Sequence, residues 1–324
     1  MSGDRIRGAF AGLAVGDAVG WPAARHRAAL HAPWSRRLHR ELDAFAEEHR
    51  VTTLPVPFAL NQPTAPLAVG PSDDAEWLAW TALTIDRPRA EAFRELPEGI
   101  RARISVTTAL GNLARGVEPP ASGHDNPHHF DDAAAVRAVA FGALGRDPTQ
   151  DAQVTNAYDG VLGAQAMAAA VAEAVASGSA RTAVEAALAV LPRDTAIGHN
   201  ARLALEVTRR AGDPFAAVPA LDAALLDHVY SYGVGAAQTV PVALALAEAA
   251  GGELARAVPA AACLAALADS APALTGALAG ACGGYDAIPE GWAASARTLA
   301  GCCLPDLAGR DLIELTVGLS EGIA

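Results

Sequence analysis

The sequence predicts an all-α protein, and three observations carry this prediction. Hydrophobic residues make up 52% of the 324 residues but aromatic residues only 5%, because much of the apolar content is alanine, the strongest helix former. Long alanine-rich stretches with few runs of β-branched residues favour helices packed against helices. We find no internal repeat and no flexible linker, so we predict one compact domain, a multi-helix bundle spanning residues 1–324.

The first predicted helix runs from about Asp4 to Gly20 and carries one smooth face. Glycine recurs there every four residues, which places these residues on the same side of the helix: Gly8, Gly12, Gly16 and Gly20. Each glycine costs a helix interior about 1 kcal/mol relative to alanine. We therefore expect another helix or a substrate to approach this face closely, and we expect Asp17 within it to fix local hydrogen bonds.

Residues 22–71 are predicted to be an insertion with a charged amphipathic helix at Trp34–His49 and a proline-rich extended stretch after it. Helical patterns then resume. They cover residues 72–86, 99–116, 133–144, 149–177, 180–191, 196–211, 215–228, 238–250, 253–267, 271–283, 290–303 and 308–322.

Charge and hydropathy exclude two classes of partner. The net charge is −12 and no run of basic residues is longer than Arg36-Arg37, so we expect no nucleic-acid binding. The stretch Ala257–Gly284 has one formal charge, but Pro259 and Pro272 interrupt it, and leucine and isoleucine are sparse. We predict two buried helices broken at Asp269 rather than a membrane span.

The cysteines and the N-terminus predict a cytoplasmic protein. No CxxC pair is present, and the four cysteines are interpreted as small buried thiols of a reducing compartment: Cys263, Cys282, Cys302 and Cys303. The charged start of the chain lacks the apolar core of a signal peptide. We expect a monomer or a small homo-oligomer.

Two predicted helix starts combine hydroxyl and carboxyl side chains. Ser72 is a good N-cap, and Asp73 and Asp74 fall in the first turn after it. Asp269 and Ser270 stand just before a proline at the start of a second helix. Both pairs also fit simple capping and dipole complementation. If the two starts converge, however, they offer the hard oxygen ligands that Mg²⁺, Mn²⁺ or Ca²⁺ prefer.

At these residues the chain resembles the ADP-ribosylglycohydrolase family, which includes ADP-ribosylhydrolases and the dinitrogenase reductase-activating glycohydrolases. The opening DRIRGAFAGLAVGDAVG matches the first family motif almost completely. Ser72-Asp73-Asp74-Ala75 stands in place of the family's Thr-Asp-Asp-Thr, and Ala268-Asp269-Ser270 in place of its Thr-Asp-Thr. The GALAGA sequence at residues 276–281 and the Ile-Pro-x-x-Trp ending at Trp292 follow in the family's order.

The resemblance implies an orthogonal helix bundle with one or two divalent cations, Mg²⁺ or Mn²⁺. The implied metal ligands are Ser72, Asp73, Asp74, Asp269 and Ser270. It implies cleavage of a glycosidic bond at ribose, where Asp73, Asp74 and Asp132 are the catalytic candidates, since carboxylates suit the oxocarbenium-like charge of such reactions.

Three substitutions depart from the family pattern. Leu267 replaces a carboxylate, which makes a second metal doubtful. Asn156 replaces a histidine and cannot titrate near neutral pH. Asp132 replaces an asparagine, and it could restore the missing carboxylate or act as a base.

Three stretches are predicted to contact substrate. The alternative interpretations of the loop at residues 123–132 are a solvated loop or a zinc site, although its spacing matches no strong zinc signature. The alternative for residues 230–235 is an ordinary interhelical turn. Glycine and tyrosine in the second loop would allow close backbone approach and stacking on a base. The candidates are Asp125, His128, His129, Phe130, Asp131, Asn156, Tyr232, Gly233, Val234 and Gly235.

The sequence thus predicts a metal-dependent glycohydrolase that cleaves an N- or O-glycosidic bond to ribose in an ADP-ribosylated or nucleotide-like substrate, either a small molecule or a modified protein. The alternatives are a catalytically impaired homologue that still binds ADP-ribose or a nucleotide, and a relative that keeps only the fold.

Overall fold

A computed structural model describes residues 2–29, 48, 70–97, 100–226 and 233–321 of the chain. No β-strand occurs in this part, where only two isolated bridges are present, Asp131 with Gly235 and Thr298 with Asp311. The all-α prediction is confirmed. Most of the insertion predicted at residues 22–71 lies outside the described residues, including the helix predicted at Trp34–His49.

The described α-helices are numbered here in chain order. They are α1 Ser2–Ala29, α2 Asp73–Leu83, α3 Arg89–Arg94, α4 Ile104–Ala114, α5 Ala121–His124, α6 Ala133–Ala143, α7 Thr149–Thr155, α8 Asp159–Ser177, α9 Ala180–Val190, α10 Ala196–Ala211, α11 Pro214–Leu225, α12 Ala236–Ala249, α13 Leu254–Ala262, α14 Ala271–Gly283, α15 Glu290–Ala296 and α16 Leu312–Glu321. Short 3₁₀ turns lie at Ala265–Leu267, Tyr285–Ala287 and Pro305–Leu307.

The glycine face of α1 packs directly against α14. A Cβ atom on Gly12 would lie 2.8 Å from the carbonyl carbon of Gly276, and one on Gly8 would lie 2.8 Å from that of Gly284. Only helices without side chains at these positions can approach so closely. The expected close approach is confirmed, and it fixes the start of α14, with Asp269 and Ser270, against the first helix.

Several predicted helix boundaries were wrong, among them the end of the helix predicted at 290–303, which stops at Ala296. The first helix continues past Gly20 to Ala29. The helix predicted at 149–177 is two helices, because Asn156 is extended and Tyr158 has a φ of +48°. The helix predicted at 253–267 ends at Ala262 and is followed by a 3₁₀ turn. Periodicity alone does not report such local backbone conformations.

Buried apolar residues form a cluster that reaches from Ile6 to Ile313. The break predicted around Asp269 is present, between α13 and α14. Among the described helices α8 is long and apolar enough to cross a membrane by length and composition, and 56% of that stretch is buried inside the protein.

The cysteines are free, as predicted, but Cys263 is exposed, so the expectation that all four are buried was wrong. Burial raises the pKa of the Cys282 thiol to about 12. Cys282 is therefore a packing residue rather than a reactive thiolate.

Candidate active site

The start of α2 is capped from α1 rather than by its own first residue. The Asp17 carboxylate accepts hydrogen bonds from the backbone nitrogens of Ser72, at 2.6 Å, and Ala75, at 3.1 Å. It also accepts one from the Ser72 hydroxyl, at 2.6 Å. The Ser72 side chain makes no capping bond of its own, which corrects its predicted role as the N-cap. The expected role of Asp17 in local hydrogen bonding is confirmed.

The predicted acidic residues converge on a cation that the sequence analysis missed. Arg103 lies at the start of α4, and its side chain is only 9% exposed. Its guanidinium lies 3.0 Å from Asp74 Oδ1 and 3.6 Å from Asp269 Oδ2, and it also pairs with Asp132 and donates to the Ser270 hydroxyl. We call Arg103, Asp74, Asp132, Asp269 and Ser270 the acidic centre.

Burial and mutual repulsion raise the pKa values of the carboxyl groups in this region. Burial, with repulsion from Asp73, raises the pKa of Asp17 to about 7. Burial also raises the pKa of Asp132 to about 7, although the Arg103 charge opposes the shift. The pKa of Asp74 is raised well above its ordinary value by burial, against the opposing charge of Arg103. One guanidinium does not offset this many buried carboxyl groups.

The predicted metal ligands do not fit a divalent ion in this arrangement. The guanidinium already binds one oxygen of Asp74 and one of Asp132, and it donates a hydrogen bond to the hydroxyl oxygen of Ser270. Leu267, which stands where the family pattern has a carboxylate, is buried among apolar residues and offers no ligand atom. A divalent ion such as Ca²⁺ needs about six oxygen ligands converging within roughly 2.6 Å. In the described part of the chain the acidic centre lacks that convergence.

A different trio has metal-ligand geometry. Among the residues that the structure describes, the ligand atoms of Glu76, Cys302 and Cys303 all lie within 4.8 Å of one another. The Glu76 carboxylate, however, accepts backbone hydrogen bonds from Cys302 and Cys303, at 2.7 Å each, and from Leu304, at 2.8 Å. These three donors satisfy the buried charge, so Glu76 anchors the 302–304 loop.

The loop before α6 is tied to the 233–235 segment. Asp132 N donates to the Val234 carbonyl at 2.9 Å, and Ala236 N donates to the Phe130 carbonyl at 3.0 Å. Gly233 has a φ of +71°, a conformation that favours glycine. The structure thus places Val234 and Gly235 beside Asp131 and Asp132, while Tyr232 lies outside the described residues.

Asn156 organises this loop through its amide. Its Nδ2 donates to the carbonyl and to the carboxylate of Asp131, both at 2.9 Å, and to the His129 carbonyl at 3.2 Å. Asp131 Oδ1 also accepts from Ala133 N at 3.1 Å. Asn156 and Asp131 therefore position Asp132, the next residue in the chain.

Asn156 also lines a cavity of about 570 Å³, a size that suits small-molecule ligands. Its lining includes Pro120, Ala121, His124, Asp125, Gln153, Asn156, Ala157, Tyr158, Val161 and Leu162. Asp125 and Asn156 were predicted, whereas Tyr158 was not. Tyr158 is 64% exposed and has a positive φ, a strain that often marks functional sites.

Histidine and aromatic rings surround Tyr158. The His124 ring nitrogen lies 2.7 Å from the Tyr158 hydroxyl, and the His129 ring meets Tyr158 edge-on at 5.5 Å. His128 stacks on Phe130 at 5.6 Å. The histidines therefore contact aromatic rings, and among the described residues they form no zinc-type cluster. The zinc interpretation of this loop is not supported.

The bundle and its acidic centre define an all-α fold with a polar site at the helix starts. The sequence profile of ADP-ribosylglycohydrolases matches residues 2–321, so the chain belongs to the ADP-ribosylglycohydrolase family. The name of the family describes hydrolysis of a glycosyl bond to ADP-ribose.

One solved structure with the same fold is described as an ADP-ribosylglycohydrolase-related protein complex. It has a TM-score of 0.55 and 19% sequence identity, and the alignment covers 100% of this chain and 99% of that one. No curated protein matches the sequence.

Proposed function

We propose that the protein binds a nucleotide of the ADP-ribose type and cleaves its N- or O-glycosidic bond to ribose. The observation that carries this proposal is the link that Asn156 makes between the cavity and the residue before Asp132. Asn156 lines the cavity and holds Asp131, whose neighbour Asp132 pairs with Arg103. A nucleotide in the cavity would thus direct its terminal ribose toward the carboxyl groups.

The nucleotide part would bind among rings and apolar side chains. The exposed ring of Tyr158 offers a face on which a base can stack, while Val161 and Leu162 supply apolar surface. His124 and Asp125 add polar groups at the same cavity. Such a lining, mostly apolar with a few polar groups, is typical of sites for small organic ligands.

The ribose would bind at the acidic centre. Bond cleavage at C1″ builds positive charge on the sugar ring, and the carboxylates of Asp74 and Asp132 are suited to stabilise it. Water then adds to C1″, the leaving nitrogen or oxygen takes a proton, and the water loses one to a carboxylate. Asp132, with a pKa of about 7, is the group best placed to exchange a proton near neutral pH.

The expected Mg²⁺ or Mn²⁺ stays a prediction from the family resemblance. The residues that would hold it are Ser72, Asp73, Asp74, Asp269 and Ser270, but Arg103 already engages three of them. The same observation favours a second candidate function, binding of the nucleotide without turnover. A monomer or small homo-oligomer and a cytoplasmic location are likewise part of the proposal.

Binding and turnover can be measured separately. We expect ADP-ribose to bind in calorimetry, and Tyr158→Ala to weaken that binding at least tenfold. Release of ADP-ribose from ADP-ribosyl-arginine and ADP-ribosyl-serine peptides, followed by chromatography, reports cleavage. Asp74→Asn is expected to abolish cleavage, whereas the exposed Asp86→Asn serves as its matched control.

The outcomes distinguish the two candidates. Binding without cleavage of any tested substrate supports the nucleotide-binding function. Absence of nucleotide binding to the wild-type protein contradicts both.

A further inference from the structure

We infer that the guanidinium of Arg103 is the resident cation of the acidic centre, which consequently binds its ligand without a divalent metal ion. The inference deepens the proposed function, because it concerns the same site. Its support is the set of contacts that Arg103 makes, the charges around it, and the oxygen atoms that would face one another if Arg103 were removed.

Arg103 is held where three separate helix starts meet. Asp74 belongs to the first turn of α2, Asp132 immediately precedes α6, and Asp269 and Ser270 precede α14. The guanidinium contacts all four of these side chains. Its own backbone is fixed as well, since the Arg103 carbonyl accepts a hydrogen bond from Thr107 N at 2.9 Å and so begins α4.

The charges explain why a cation is needed there. Asp74, Asp132 and Asp269 surround Arg103, and the negative charge of Asp73, the residue before Asp74, also attracts it. Buried carboxylates without a cation repel one another and stay protonated. A guanidinium presents several donors in one rigid plane and keeps its charge under all ordinary conditions, so it can join three carboxylates at once.

The remaining oxygens indicate what would replace Arg103 if it were removed. Asp74 Oδ2 is buried and has no hydrogen-bond partner among the described residues. Asp132 Oδ1 lies 3.4 Å from the Ser270 hydroxyl. Without the guanidinium, this buried set of carboxyl and hydroxyl oxygens has the chemistry that divalent cations prefer. Arg103 and a metal ion would therefore compete for one place.

The test uses metal binding, which needs no substrate. Full-length protein is treated with EDTA and desalted, and Mn²⁺ is titrated by calorimetry and by loss of the free Mn²⁺ electron spin resonance signal. We expect wild type and Arg103→Lys, which both keep a cation, to bind no Mn²⁺ at the centre. Arg103→Met is expected to bind Mn²⁺ with a dissociation constant at least tenfold below the highest Mn²⁺ concentration at which wild type shows no binding.

Arg101→Met is the matched control, because Arg101 is exposed and lies two residues from Arg103 on the same segment. It should behave as wild type. Arg103→Gln replaces Arg103→Met if the latter does not fold. Mn²⁺ should raise the melting temperature of the folded neutral variant and leave that of wild type unchanged. If neither neutral variant folds, the melting temperature of wild type with and without Mn²⁺ still tests the inference.

Two results overturn the inference. One is a wild-type protein that binds Mn²⁺ as tightly as the neutral variant, or whose melting temperature rises with Mn²⁺. The other is a folded neutral variant that binds no Mn²⁺. Failure of the proposed function is separate, because it appears as absence of ADP-ribose binding to metal-free wild type.

Discussion

Two buried arginine–carboxylate centres in this protein have opposite charge balance. In the core, Arg89 and Arg137 share the single carboxylate of Asp151, with Nε–oxygen distances of 2.9 and 2.7 Å. At the acidic centre three carboxylates share the one guanidinium of Arg103. The first arrangement ties helices together, whereas the second leaves buried carboxyl groups without enough positive charge to balance them.

The surroundings of the two centres also differ, because they compensate the buried charge at the core centre but not at the acidic centre. Arg89 lies 5.0 Å from the ring centroid of Trp80, and Arg137 lies 5.1 Å from that of Phe93, so aromatic faces take up the excess positive charge. Both oxygens of Asp151 are used. Asp74 Oδ2, in contrast, is buried without a partner among the described residues. Unbalanced buried charge of this kind is characteristic of functional sites.

The largest effect is expected at the core centre. Asp151→Asn leaves two buried guanidinium groups without their counter-charge, and we expect a loss of about 3–5 kcal/mol in the free energy of unfolding. Urea denaturation measures it. Asp86→Asn, at an exposed ion pair with Arg146, should change stability by less than about 0.5 kcal/mol. A similar small effect at Asp151 would show that this centre is not structural.

The next effect concerns the helix seam that positions the acidic centre. Gly12→Ala drives a methyl group into the backbone of Gly276, and we expect a loss of about 2–3 kcal/mol. Gly111→Ala is the control. In α4 a Cβ at Gly111 has its nearest neighbour, Arg115 Nη1, at 3.6 Å, so alanine should stabilise the helix by about 0.5–1 kcal/mol. Equal effects of the two changes in thermal unfolding would contradict the close packing.

A smaller effect is expected at the cap between α1 and α2. Asp17→Ala removes the acceptor of two buried backbone donors, so stability should fall by about 1–2 kcal/mol. Asp17→Asn keeps an acceptor and a polar partner for Ser72 while removing the ionisable group. It should retain most of the stability in chemical denaturation. A loss as large as that of the alanine variant would mean that the charge, not the cap, matters.

The smallest effect is expected at Asp132, where acid is in excess. Asp132→Asn leaves Arg103 paired with Asp74, and at neutral pH it removes a buried charge that is already in excess, so its effect on stability there should be the smallest of the four. Burial raises the pKa of Asp132 to about 7, above its ordinary value of 3.8. The folded state therefore binds more protons between these values, and the contribution of Asp132 to stability falls as the pH rises through that window.

Unfolding of wild type and Asp132→Asn from pH 4 to pH 8 measures this contribution. The variant should gain stability relative to wild type as the pH increases. A difference that does not depend on pH would show that the pKa of Asp132 is not raised.

Much of the site could be predicted because its residues are local in sequence. The Ser-Asp-Asp and Asp-Ser segments are recognisable in the sequence as polar starts of apolar helices. The structure brings Asp74, Asp132, Asp269 and Ser270 together. Arg103 was missed, although an arginine before an apolar helix in a chain of net charge −12 was a usable signal. Its four partners are distant in sequence, and no local pattern links them to it.

The sequence by itself determined the all-α class, the close packing of the glycine face and the carboxyl groups at two helix starts, because spacing and residue type fix which side chains share a face. Only the tertiary structure decided that Asp17 caps α2, that Tyr158 interrupts a predicted helix, and that a guanidinium lies among the carboxylates. These depend on contacts between residues far apart in the chain, and burial there sets the charge balance. Three of the acidic residues chosen from the sequence, Asp74, Asp132 and Asp269, are therefore partners of an arginine.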